Sequence, residues 1–67
     1  MKFAQRLKEL RSEYEFTQKQ LAEKVGCSQS MIARWESEEC EPVLSSAVKL
    51  SEVFSCSLDY LAGKTEM

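Results

Sequence analysis

Residues 17–36 read TQKQLAEKVGCSQSMIARWE, and this stretch decides how the chain folds. Thr17 is followed three positions on by Gln20, the pattern of a capping box. The Thr hydroxyl accepts from the Gln20 N–H, and the Gln20 side chain reaches back to the Thr N–H. Leu21, Ala22 and Val25 then face inward on a helix predicted over 18–25. Gly26 follows at once, where a tight turn needs a positive φ. Ser28 is a second helix-starting residue, and Ile32 and Trp35 lie three apart on the inner side of a helix predicted over 29–37. Three or four residues with a glycine let the second helix cross the first steeply, with small Ala22 at the closest approach and Val25 meeting Ile32 across the turn. This is helix-turn-helix geometry, spanning 17–37. On spacing alone it serves equally as an ordinary corner in a helical bundle that never touches nucleic acid.

The flanking segments are helical too. Phe3, Leu7, Leu10 and Tyr14 form one apolar stripe of a helix over about 2–13. Pro42 punctuates a loop. Leu44, Ala47, Leu50, Ser51 and Phe54 make the stripe of a fourth helix. Ser57 caps a short fifth helix holding Leu58 and Leu61, closed by Gly63. With two Gly, one Pro and 43% apolar residues, the expectation is an all-α, compact five-helix bundle, with residues 1–67 as a single domain.

Composition excludes several function classes. The chain has no His and one Asp, and no Gly-rich phosphate loop. No acid–base or nucleophile constellation is expected, so the chain does not read as an enzyme. Cys27, Cys40 and Cys56 are widely spaced with no CxxC pair, so neither a metal site nor a cofactor is expected. They read as reduced packing thiols in a cytoplasmic protein. No apolar run is long enough to cross a membrane, and no secretory leader is recognisable. The net charge of −2 hides an asymmetry: residues 1–34 carry seven Lys/Arg against four Glu, and residues 35–67 carry two Lys against seven acids. An acidic chain can therefore still present one positive face.

With these residues in hand, the chain resembles the Cro/repressor helix-turn-helix family (the xenobiotic-response-element type), especially the N-terminal DNA-binding domains of phage repressors. The resemblance covers almost the whole chain. It rests on LKELR at 7–11, the stretch 17–36 with its Trp35-Glu36 pair, Pro42, and SLDYLAG at 57–63. It implies a lambda-repressor-like fold, double-stranded DNA as partner, a homodimer and a palindromic operator. Position by position, the resemblance makes Gln29 a reader of adenine, whose N6/N7 edge a two-ended amide matches, and lays Gln18 over the DNA backbone, bonding a phosphate and bracing the recognition helix. It also implies a partly buried ion pair between Arg11 and Glu36.

Chemistry fills in the neighbours. Ser30, Ala33 and Arg34 share the outward face of Gln29. Ser30 bonds several base edges or a phosphate, Ala33 touches only a thymine methyl, and the Arg34 fork suits guanine O6/N7. The alternatives are an exposed first-turn side chain for Gln29, and a phosphate contact or an ion pair with Glu38 for Arg34. Ser28 caps its helix and offers a phosphate its hydroxyl or N–H, and Lys19, Lys2 and Arg6 are candidate cations. Met31 stands between groove wall and core edge. Val53, Leu58, Tyr60 and Leu61 are candidates for a dimer seam, with core packing as the alternative for Leu58 and the favoured reading for Leu61.

The departures from the family pattern fall in one place. Between the third helix and Pro42 the family usually has Gly and basic residues near phosphates, whereas this chain has Glu38, Glu39, Cys40 and Glu41. Glu38 stands where Gly takes the left-handed conformation, at about 1 kcal/mol of strain. Val43 replaces the usual polar cap. The leading expectation is a sequence-specific transcriptional regulator, more naturally a repressor than an activator, with weak non-specific DNA binding. The competing one is a protein-interaction module, antitoxin-like or anti-repressor, using Glu38, Glu39 and Glu41 to hold a basic partner.

Overall fold

Each helix contributes one aliphatic side chain to the centre. A computed structural model describes residues 3–63, and its elements are α1 Phe3–Glu13, α2 Gln18–Val25, α3 Gln29–Glu36, α4 Leu44–Val53 and α5 Leu58–Leu61. Leu7, Leu21, Ile32, Leu50 and Leu61, one from each helix in order, are all fully buried. Phe3, Leu10, Ala22, Trp35 and Phe54 close the core around them. A layout in which every helix meets one common centre makes each of these five a large truncation cost, about 2–5 kcal/mol for Leu→Ala. No strand is present among the described residues.

The local rules read from the sequence hold at the helix starts. Thr17 Oγ1 accepts from Gln20 N at 3.0 Å and Gln20 Oε1 accepts from Thr17 N at 2.9 Å, so the capping box is complete. Ser28 and Ser57 cap α3 and α5 through Met31 N and Tyr60 N. Val43 occupies the cap of α4 with no side-chain bond.

The helix ends are more uniform than the sequence suggests. Every helix is followed by a left-handed residue: Glu15 (φ 58°), Gly26 (86°), Glu38 (66°), Ser55 (52°) and Gly63 (78°). After α1, α2, α3 and α4 the chain also makes the six-to-one bond of a Schellman turn, in Phe16 N to Arg11 O, Cys27 N to Ala22 O, Glu39 N to Arg34 O and Cys56 N to Ser51 O. Gly26 has open space where a Cβ would stand, so its backbone angle and not crowding calls for glycine.

Three expectations need correction. Tyr14 is not part of the α1 stripe: it lies past the helix end, is 43% exposed, and its hydroxyl donates to Phe54 O at 2.9 Å while its ring packs edge-on against Phe54. Leu44 is not on the inner face of α4 but is 73% exposed, because as the first helical residue it projects beyond the core that Leu50 enters. α3 ends at Glu36 with Ser37 as its C-cap. The expected start of α1 at residue 2 lies outside the described residues.

Candidate nucleic-acid interface

α3 is divided lengthwise. Ile32, Trp35 and Glu36 are buried, and Met31 packs against the core cluster, which resolves its ambiguity in favour of the core edge. Gln29, Ser30 and Arg34 are exposed and Ala33 is half-buried beside them, so the four predicted base-reading residues do share one outward face. Ser28 and Ser30 exchange a hydroxyl bond of 3.1 Å at the helix start. The Arg34–Glu38 ion pair considered from the sequence does not form.

The ion pair that does form holds α3 from behind. Arg11 Nε donates to Glu36 Oε2 at 2.6 Å and Arg11 Nη2 to Glu36 Oε1 at 3.2 Å, a two-pronged bond between α1 and α3. Arg11 Nη1 also donates to Phe16 O at 3.0 Å, which fixes the α1–α2 connection. Gln18 joins the same carboxylate: its Nε2 donates to Glu36 Oε1 at 3.1 Å. Gln18 is therefore half-buried and held in place, not a freely solvated first-turn side chain. The resemblance implies that Gln18 braces the recognition helix, but no local pattern marks Glu36, eighteen positions on, as its partner.

Of the candidate cations, Lys19 is exposed at the start of α2, while the Arg6 guanidinium lies over the Tyr60 ring at 4.4 Å. Lys2 lies outside the described residues. Beyond α3, Glu38, Glu39, Cys40 and Glu41 are all exposed. Ser37 Oγ donates to Glu39 Oε2 at 3.0 Å, and among the described residues no cation neutralises these carboxylates.

The dimer candidates separate. Val53 and Tyr60 are half-buried and packed on the core, whereas Leu58 is 39% exposed. Sequence reasoning missed the exposure of Val43 at 68%, and missed that Leu44 and Leu58 line one groove with Phe3, Pro42 and Ala47, edged by Glu41 and Asp59. Burial pushes the thiols of Cys27 and Cys56 up from their ordinary range, so both are held as neutral packing groups. No helix among the described residues is long and apolar enough to cross a membrane.

A helix-turn-helix family model matches residues 7–61. The chain belongs to the Cro/C1-type helix-turn-helix family. Among curated members, it is 38% identical over 64 residues to the uncharacterised regulator YobD of Bacillus subtilis, covering 96% of this chain and 57% of that protein. It is 36% identical over 67 residues to the transcriptional regulator ImmR of the same organism, covering 100% of this chain and 53% of that one. The chain thus spans a little over half the length of these relatives. Among solved structures, the P22 c2 repressor in complex with a synthetic operator superposes with a TM-score of 0.89 at 32% identity, over 94% of this chain and 96% of that one. The five-helix architecture is that of the repressor helix-turn-helix domains, and a DNA-binding transcription regulator of this family is not an enzyme class.

Proposed function

We propose that this chain is a sequence-specific, double-stranded-DNA-binding transcriptional regulator that acts as a repressor, setting α3 in the major groove of a palindromic operator as a homodimer. The observation that carries this reading is the lengthwise division of α3. Its inner side is locked by Ile32, Trp35 and the Arg11–Glu36 pair, leaving Gln29, Ser30, Ala33 and Arg34 on an outward face. The fold supports it, since the P22 c2 repressor takes the same fold on an operator. Gln29 reads an adenine, Arg34 a guanine, and each bidentate pair discriminates by about 1–3 kcal/mol. Gln18, Ser28 and Lys19 hold phosphates. Two protomers present α3 to half-sites about 34–36 Å apart. Their seam takes in Leu58, flanked by Val53 and Tyr60, and the exposed Val43 and Leu44 extend it. A protein that represses transcription in this way works in the cytoplasm and needs no cofactor or metal.

The test is selection of bound duplexes from a random pool at physiological salt, with Gln29→Ala/Arg34→Ala as control. An enriched palindrome lost in the control supports the proposal, and no enrichment by folded protein overturns it. The carboxylates of Glu38, Glu39 and Glu41, exposed and with no neutralising cation among the described residues, favour a second reading, in which this loop holds a basic protein partner. Binding abolished by Glu38→Gln/Glu39→Gln/Glu41→Gln, and untouched by the α3 control, distinguishes it.

A further inference from the structure

We infer that Glu36 is a positioning residue for DNA binding, acting through Gln18 to set the phosphate-bonding amide of α2 against the base-reading face of α3. The inference rests on the proposed DNA-binding reading and adds to it a role for a residue that points away from the groove. Glu36 is buried at the end of α3, and its carboxylate accepts three N–H bonds, two from Arg11 and one from Gln18. An ionised carboxylate only accepts. The nitrogen end of the Gln18 amide must therefore face it, which removes the usual ambiguity over which way an amide points. That nitrogen carries a second N–H, left for a phosphate. A Gln18 amide released from Glu36 turns freely, and the phosphate must then order it on binding, which weakens the contact.

The same bond has a mechanical consequence. α2 and α3 are joined covalently through residues 26–28 and, at the far end, by Gln18, the first residue of α2, bonding Glu36, the last of α3. Their crossing is closed at both ends, so one carboxylate fixes the phosphate donor and the reading helix relative to each other. Arg11 holds that carboxylate by two prongs, with its third nitrogen anchored on Phe16 O.

The test replaces the operator phosphates one at a time by neutral methylphosphonate and compares three proteins: wild type, Gln18→Ala, and Arg11→Met/Glu36→Leu. The double variant swaps both ends of the ion pair for apolar groups, so no charge is left buried alone, and thermal melting verifies that it folds. In wild type, one phosphate per half-site should show an affinity loss of about tenfold on replacement that vanishes in Gln18→Ala. In the double variant the loss at that same phosphate should shrink toward the Gln18→Ala level while losses at other phosphates stay unchanged. If no phosphate responds to Gln18→Ala, the backbone contact itself fails, and the inference with it. A phosphate that responds to Gln18→Ala but keeps its full loss in the double variant overturns the inference alone. A second measurement needs only the wild-type free protein. Nitrogen-15 relaxation of the side-chain amides should find Gln18 ordered and exposed Gln29 mobile, and a Gln18 amide as mobile as Gln29 overturns the inference.

Discussion

Arg11 and Glu36 stand 25 positions apart in sequence and meet through two N–H···O bonds, of 2.6 Å and 3.2 Å. Removing either partner alone leaves a charge in a site that water barely reaches. Glu36→Ala or Arg11→Ala should cost about 3 kcal/mol, the low end for a buried pair because Arg11 keeps some solvent contact. A 67-residue domain commands only about 3–10 kcal/mol in total, so urea melts should show a markedly lowered midpoint for either variant. A loss below about 1 kcal/mol, the range of surface pairs, would show that the pair does not hold α3.

The left-handed residues offer a test in the opposite direction. Glu38 is a side-chain-bearing residue at φ 66°, and Glu38→Gly relieves about 1 kcal/mol of steric strain, in part returned through the freer unfolded chain. Glu15→Gly and Ser55→Gly should behave alike. Gly26→Ala should destabilise by a similar amount despite the open space at its Cβ. Thermal melts check all four, and a Glu38→Gly variant less stable than wild type would contradict the account of the helix ends.

The acidic loop should act on DNA affinity and not on stability. Glu38, Glu39 and Glu41 are exposed, and three carboxylates beside phosphates oppose the cations that drive non-specific binding. Glu38→Gln/Glu39→Gln/Glu41→Gln should tighten binding to random-sequence duplex by about an order of magnitude at low salt, with the gain shrinking as salt screens it. The ratio of operator to random-sequence affinity should fall. Unchanged random-sequence affinity across a salt series would remove the loop from the DNA face.

The half-buried thiols should react more slowly than the exposed one. Burial raises the pKa of Cys27 and Cys56, so at any pH below those values they carry less reactive thiolate than an ordinary thiol. Stability supplied by keeping them neutral is present at neutral pH and fades only as pH rises toward the raised values, where the unfolded thiols ionise first. Exposed Cys40 should be alkylated first by iodoacetamide, with Cys27 and Cys56 following slowly and speeding up only as pH rises above the ordinary thiol range. Mass spectrometry over time reads this directly, and three equal rates would contradict the packing assigned to Cys27 and Cys56.

What could be read from the sequence was what is local. The capping box at Thr17, the turn at Gly26, the caps at Ser28 and Ser57 and the outward face of α3 depend on residues within five positions of one another, and all stand in the structure. The apolar period carries Tyr14 past the end of α1, which it cannot sense, and includes Leu44 although the first turn of α4 overhangs the core. Glu15 turns left-handed just after Tyr14, and Leu44 is only the first residue of its helix. The left-handed Glu15 and Ser55 carry no glycine to mark them. The Gln18–Glu36 bond joins two common polar residues across the fold, and only packing brings them together.

The central claim is that the outward face of α3 reads bases, and Gln29 tests it most directly. The measurement is the affinity of wild type and Gln29→Ala for the selected operator and for every single-base-pair substitution in one half-site, at fixed salt. Wild type should lose about 1–3 kcal/mol at each contacted pair. In Gln29→Ala that loss should vanish at one adenine-containing pair and persist at the others. A variant with the wild-type profile of losses at every position would show that Gln29 does not read the operator and would contradict the assignment of α3 to the groove.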